Sequence, residues 1–116
     1  MKVCIAGGGR VGRYLAQSLL ANHHEIVIIE PVESQCRMLA DMLDIPVICG
    51  DSISVDTLRT ADVASCDAFV AVTGSDEDNL VACQIAKRAS SKYARTSLSV
   101  FSSTAIQSSR NSSASS

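Results

Sequence analysis

At 116 residues the chain is expected to form one domain, long enough to bury a core and too short to carry a substrate-binding domain beside a nucleotide fold. Apolar residues make up 47% and aromatics only 3%, so the core should be aliphatic, the mixture that parallel sheets favour. The net charge of -2 divides into a body at -5, with seven basic and twelve acidic residues before position 89, and a tail at +3 from Lys92, Arg95 and Arg110, a balance that argues against a nucleic-acid groove.

The first predicted element is the apolar run Lys2 to Ala6, which breaks into Gly7-Gly8-Gly9 and resumes with helical spacing. Gly7, Gly9 and Gly12 have the spacing of G-x-G-x-x-G. In that pattern the first glycine turns the chain off the strand, the second admits a pyrophosphate against the backbone, and the third lets the helix pack closely. The helix, with Val11, Leu15 and Leu19 on its predicted inner stripe, directs free N–H groups and the positive end of its dipole at the loop, so an anion is the expected ligand. Arg10 inside the loop suits a charge-assisted phosphate contact, or stands as a solvated side chain.

A turn at Asn22-His23-His24 leads to the second strand, Ile26 to Ile29, ending at Glu30. That acid lies eighteen residues beyond Gly12, near the ~20 at which a carboxylate accepts hydrogen bonds from a ribose diol. The alternative is an ordinary βαβ unit with an empty glycine turn and a solvated acid. Pro31 is expected in the first turn of the next helix, which carries Cys36, Leu39, Ala40 and Leu43 inward and ends near Asp44.

Pro46 to Cys49 reads as a short buried third strand. Asp51, just beyond its carboxyl end, is either an adenosine contact or the cap of a short helix, Val55 to Thr60. Cys66 to Val72 is the predicted fourth strand. After it Ser75 or Asp76 can cap a helix bearing Leu80, Val81, Cys83, Ile85 and Ala86, while Thr73 is expected to overlook the glycine loop. Thr96 to Phe101 supplies a fifth strand. Twelve of the last twenty-eight residues are serine, so the organisation expected is a domain over 1–101 and a disordered serine-rich tail over 102–116.

No run approaches the ~20 apolar residues of a membrane span, and the N-terminus lacks a basic-then-hydrophobic leader, so a soluble cytoplasmic protein is expected. The five cysteines include no C-x-x-C pair and read as small buried residues rather than metal ligands. The fold class expected is α/β: a Rossmann-like, doubly wound parallel sheet in three αβα layers. No nucleophile and base stand in motif, and Tyr93 is followed four positions on by Ser97 rather than the lysine of a short-chain dehydrogenase.

Gly7 to Gly12, Glu30, Gly50-Asp51 and Thr73-Gly-Ser-Asp-Glu-Asp-Asn79 together resemble the N-terminal nucleotide-binding domain of TrkA-type potassium-uptake regulators, also called KTN or RCK, over about residues 1 to 88. The resemblance implies a non-enzymatic cytoplasmic regulator that binds NAD(H), or ATP and ADP, assembles as dimers or rings, and gates a membrane potassium transporter. It places Gly7, Gly9, Arg10, Val11 and Gly12 at the phosphates, Glu30 at the ribose, Asp51 and Ser52 at the adenine, and Thr73, Gly74 and Ser75 on the other flank. Against that family the chain is expected to be C-terminally truncated, departing after Arg88. The other function kept open is an NAD-dependent oxidoreductase, or its nucleotide-binding half.

Overall fold

The computed structural model describes residues 1–91 and 99–102. Strands β1 (Lys2–Ala6), β2 (Glu25–Glu30), β3 (Val47–Cys49), β4 (Ala68–Ala71) and β5 (Ser99–Ser102) form one sheet in the order β3-β2-β1-β4-β5, every neighbouring pair parallel. Between them run helices α1 (Arg10–Ala21), α2 (Glu33–Leu43), α3 (Val55–Thr60), a 3-10 turn at Val63–Ser65, and α4 (Asp76–Ser91). This is the Rossmann-like arrangement that the sequence predicts.

Alternation along each strand sorts the core into two halves. Val3 and Ile5 of β1, Ile26 and Ile28 of β2, and Val70 of β4 pack with Ala16 of α1 and Leu39 of α2. Cys4, Ala6, Val27, Ile29 and Phe69 face the other way, against Leu58 of α3 and Ala82, Cys83 and Ala86 of α4. With both faces covered, β1 from Val3 to Ala6 and β2 from Ile26 to Ile29 need apolar residues at every position, which is why they read as unbroken runs rather than as alternating ones.

Several details differ from expectation, each for a packing reason. Val11 is 60% exposed, because the face of α1 that meets the sheet runs through Gly12 and Ala16 with Leu15, Leu19 and Leu20 beside them. Pro31 precedes α2 instead of opening it, Val32 being the N-cap, and Ala40 is exposed beside the buried Leu39. The helix end does fall where expected: Asp44 takes a left-handed conformation and its N–H bonds to the Ala40 carbonyl at 3.0 Å. Because β3 is an edge strand, it is half-buried, Cys49 is exposed, and Pro46 lies just outside it. β4 is shorter than predicted, with Cys66 and Val72 beyond its ends, and Leu80 and Val81 lie on the outer side of α4. β5 covers Ser99 to Phe101 of the predicted strand and adds Ser102, expected in the tail, while positions 96–98 of that prediction lie outside the described residues. The disordered tail expected over 102–116 lies, past Ser102, outside the described residues.

Going outward from β1 the chain takes β2 and β3 on one side, then returns for β4 and β5 on the other. That reversal separates the loops leaving β1 and β4 and opens a crevice at their carboxyl ends, where ligands of such sheets lie.

Candidate functional site at the strand ends

The loop after β1 is shaped by close approaches that only glycine permits. Gly7 has φ +115°, its N–H bonds to the Ile29 carbonyl at 2.8 Å, and a Cβ there would stand 2.8 Å from the Val72 carbonyl oxygen. At Gly12 a Cβ would overlap the Gly7 carbonyl oxygen, so α1 begins pressed against its own loop. Gly9 is different: a Cβ there meets nothing within 4 Å. Its freedom from a side chain is not used by the protein's own packing.

Gly9 is also the N-cap of α1, and it provides no side-chain hydrogen bond; the first turn, Arg10 onward, holds no acid. The helix therefore meets the crevice with its N–H groups and dipole uncompensated by side chains, the arrangement that favours an anion.

Opposite this loop lies Glu30, 7% exposed. Its Oε1 accepts the Gly8 N–H at 2.9 Å and its Oε2 the Val32 N–H at 2.8 Å. The carboxylate thus clasps the turn after β1 to the turn after β2, and each oxygen keeps a further lone pair for another donor. Gly8, outside the G-x-G-x-x-G positions, proves necessary as well: a Cβ would strike Leu39 Cδ1 and lie 3.2 Å from Glu30 Oε1. Its signal in the sequence is the unbroken glycine triplet, of which the motif explains only two members.

The far wall comes from the loop after β4. Thr73 sits at the crevice as predicted, but its hydroxyl is turned to Asn79 Oδ1 at 2.6 Å. The same oxygen accepts the Thr73 N–H at 2.9 Å, and Asn79 Nδ2 donates to the Thr73 carbonyl at 3.3 Å. Asn79 is fully buried, and sequence reasoning assigned it no role in the site. The available signal was an amide at an inward position of an otherwise apolar helix face. Ser75 Oγ accepts the Asp78 N–H at 3.2 Å and so caps α4.

Beyond β3, Asp51 Oδ1 accepts the Ile53 N–H at 3.1 Å, closing a local turn, while Ser54 caps α3 through the Thr57 N–H at 3.5 Å. The capping alternative for Asp51 is thereby removed. The side chain is exposed at the crevice mouth, with Ser52 buried next to it.

These loops enclose a cavity of about 270 Å³. Of the predicted residues, Gly7, Gly9, Glu30, Asp51, Ser52, Thr73 and Gly74 line it. Arg10 and Val11 are exposed on the first turn of α1, Gly12 is buried beneath the loop, and Ser75 holds the helix end; none of these four lines the cavity. Ile29, Pro31, Val72 and Asp78 line it without having been predicted. Two larger hollows, of about 440 and 600 Å³, lie elsewhere, one between α3 and α4 and one at the opposite end of the sheet. Neither is lined by the glycine loop or the start of α1, so the smaller cavity is the candidate site.

The residues fit a nucleotide. An uncapped helix end behind an unobstructed glycine offers donors for phosphates, and a held carboxylate across the loop offers acceptors for a sugar diol. At about 270 Å³ the cavity lies just under the usual range of ligand pockets. No helix among the described residues is long and apolar enough to cross a membrane.

Comparison with known proteins bears on the family and the fold. A family model described as the TrkA-N domain matches residues 3–111. A Trk system potassium uptake protein TrkA homolog of Methanothermobacter thermautotrophicus is 46% identical over 83 residues, 72% of this chain; the match spans only 38% of that relative's length. Among solved structures, the GsuK channel bound to NAD superposes with a TM-score of 0.67 at 23% identity, over 75% of this chain and 16% of the channel. The Shewanella denitrificans Kef CTD in AMP bound form does so at 0.67 and 22%, over 88% of this chain and 58% of that one. At such identities the structural likeness speaks to the fold.

Proposed function

The chain belongs to the TrkA-N domain family, and on that footing we propose that it is the nucleotide-binding regulatory domain of a potassium uptake system, sensing NAD(H) or ATP and ADP. The observation that carries the reading is the pairing of an uncapped α1 with Glu30: one side of the crevice supplies donors for phosphates, the other a backbone-anchored acceptor for the ribose. Gly7 and Gly9, backed by the buried Gly12 and with Arg10 and Val11 on the exposed first turn of α1, then form the phosphate end, Asp51 and Ser52 the adenine side, and Thr73 and Gly74 the opposite flank, with Ser75 behind them as the cap of α4. That the two similar structures hold AMP and NAD supports an adenosine-containing ligand.

The reading is non-enzymatic. A ligand that fits one arrangement of paired domains better than another shifts their population, and the shift passes to a membrane potassium transporter on whose cytoplasmic side the domain works as a dimer or ring. Relatives named for potassium uptake support that partner.

Calorimetric titration of the purified chain with NAD+, NADH, ATP, ADP and NADPH tests the proposal. Saturable binding of at least one of the first four is expected, with NADPH at least tenfold weaker than NADH because its 2′-phosphate would meet the Glu30 carboxylate, whose own chain supplies no arginine at that turn. Equal binding of NADPH would remove the ribose assignment, no binding of any nucleotide would overturn the sensor, and hydride transfer from NADH to a small carbonyl compound would replace it with a reductase.

A further inference from the structure

Two cysteines far apart in sequence meet beside the turn that follows β2. Cys36, in the first half of α2, donates its thiol to the Glu30 carbonyl at 3.1 Å. The same carbonyl accepts the N–H of Gly50, the residue after Cys49, at 3.0 Å. Cys49, paired with Glu30 across the parallel β2–β3 register, has its thiol 3.9 Å from the next carbonyl, that of Pro31. The two sulfurs therefore hang from consecutive carbonyls of one turn, near enough for Cys49 to bear on the titration of Cys36.

Their surroundings differ. Cys36 is buried under α2 and Cys49 is exposed on the edge strand. Burial, and after it the neighbouring Cys49, pushes the Cys36 thiol up to about 12, which leaves the exposed Cys49 as the sulfur that an oxidant meets first. Cys4 and Cys66 make the instructive contrast: they also bear on each other's titration, yet both are buried inside the core, out of reach of a dissolved oxidant.

We propose that Cys36 and Cys49 form a redox-modification site, at which a hydroperoxide oxidises the pair to a disulfide that ties α2 to the end of β3. The exposed Cys49 reacts first: its sulfur takes one peroxide oxygen and becomes a sulfenic acid, and the peroxide leaves as water. The Cys36 sulfur then attacks the Cys49 sulfur, the S–OH bond breaks, and the thiol proton departs with the hydroxyl as a second water. Two thiols lose two electrons and the peroxide gains them. The Cys36 hydrogen bond to the Glu30 carbonyl is lost in the product, directly behind the carboxylate that the proposed nucleotide site uses. The bond forms whether or not a nucleotide binds, so the inference stands apart from the sensor reading.

The test is treatment of the purified full chain with hydrogen peroxide, followed by thiol titration and non-reducing peptide mapping. Titratable thiols should fall from five to three, with one cross-linked pair of peptides holding Cys36 and Cys49, and dithiothreitol should restore all five. Cys49→Ser should abolish the cross-link, and Cys36→Ser should leave Cys49 as a sulfenic acid that dimedone captures. If Cys36→Ser fails to fold, the exposed Cys49→Ser variant carries the test by itself. Over-oxidation of Cys49 without a cross-link in the unsubstituted chain, a Cys4–Cys66 bond in its place, or five thiols surviving peroxide would each overturn the proposal.

Discussion

Two helices begin at the same crevice, α1 and α4, and they end their first turns in opposite ways. α4 is complete in itself: Ser75 caps it, Asp76, Glu77 and Asp78 neutralise its dipole, and Asn79 reaches back to fix the Thr73 backbone. α1 begins at Gly9 with no side-chain cap and no acid in its first turn. The chain spends polar side chains on one helix end and withholds them from the other, so the second is where an external anion gains most. The α4 end serves as a rigid wall instead.

The largest effect expected is at Gly12, where α1 presses on its loop. In an exposed helix Gly→Ala stabilises by about 1 kcal/mol through propensity. Here the new Cβ would overlap the Gly7 carbonyl oxygen, and backbone cannot swing aside as a side chain can. Gly12→Ala should therefore destabilise by about 3 kcal/mol or more, or prevent folding, as read by denaturant unfolding. A neutral result would mean that α1 does not lie as close as described, and the contrast between the two helix ends would lose its geometric basis.

Next comes Asn79. Removing its amide leaves the Thr73 N–H without its acceptor in a partly buried loop, an unmet group worth about 1–3 kcal/mol, and the Thr73 hydroxyl with the Ser75 carbonyl at 3.2 Å in its place. Asn79→Ala should cost about 1–3 kcal/mol in denaturant unfolding. If stability hardly changes, the α4 wall is not held by that amide.

What the sequence disclosed and what it concealed divides along the same line. The strand runs, the glycine spacing, Glu30 and the bounds of α3 follow from local periodicity or fixed offsets, and the structure has them. Asn79, Gly8 and the outward turn of Leu80 and Val81 were not legible, because each depends on which neighbour arrives from elsewhere in the chain: Thr73 for Asn79, Leu39 and Glu30 for Gly8, and the rotation of α4 on the sheet for the exposed pair. Val11 and Pro31 went astray for a smaller reason. A helix pattern of period 3.6 leaves its phase and its first residue uncertain by a position or two.

Making α1 resemble α4 sharpens the comparison. Gly9 has φ -75° and ψ -162°, the extended backbone of a good N-cap, and open space around it. Gly9→Asp should raise stability by a few tenths of a kcal/mol, since an aspartate there caps the first turn and meets the dipole. The same carboxylate would stand where the proposed phosphates lie, so nucleotide affinity should fall at least tenfold, about 1.4 kcal/mol. Stability and binding moving in opposite directions is the signature sought by melting and titration. Unchanged affinity would put the phosphates elsewhere.

The converse change, stripping the cap from α4, should be the mildest. Ser75→Ala removes the acceptor of the Asp78 N–H, a loss of about 1 kcal/mol for a cap of this kind. Asp76, Glu77 and Asp78 remain to satisfy the dipole, and the Asn79 bonds to Thr73 do not involve Ser75 Oγ. Nucleotide affinity should consequently stay at its original value while the unfolding midpoint drops slightly. Were affinity instead to fall as far as with Gly9→Asp, Ser75 would be touching the ligand itself, and the two helix ends would share the work of holding it.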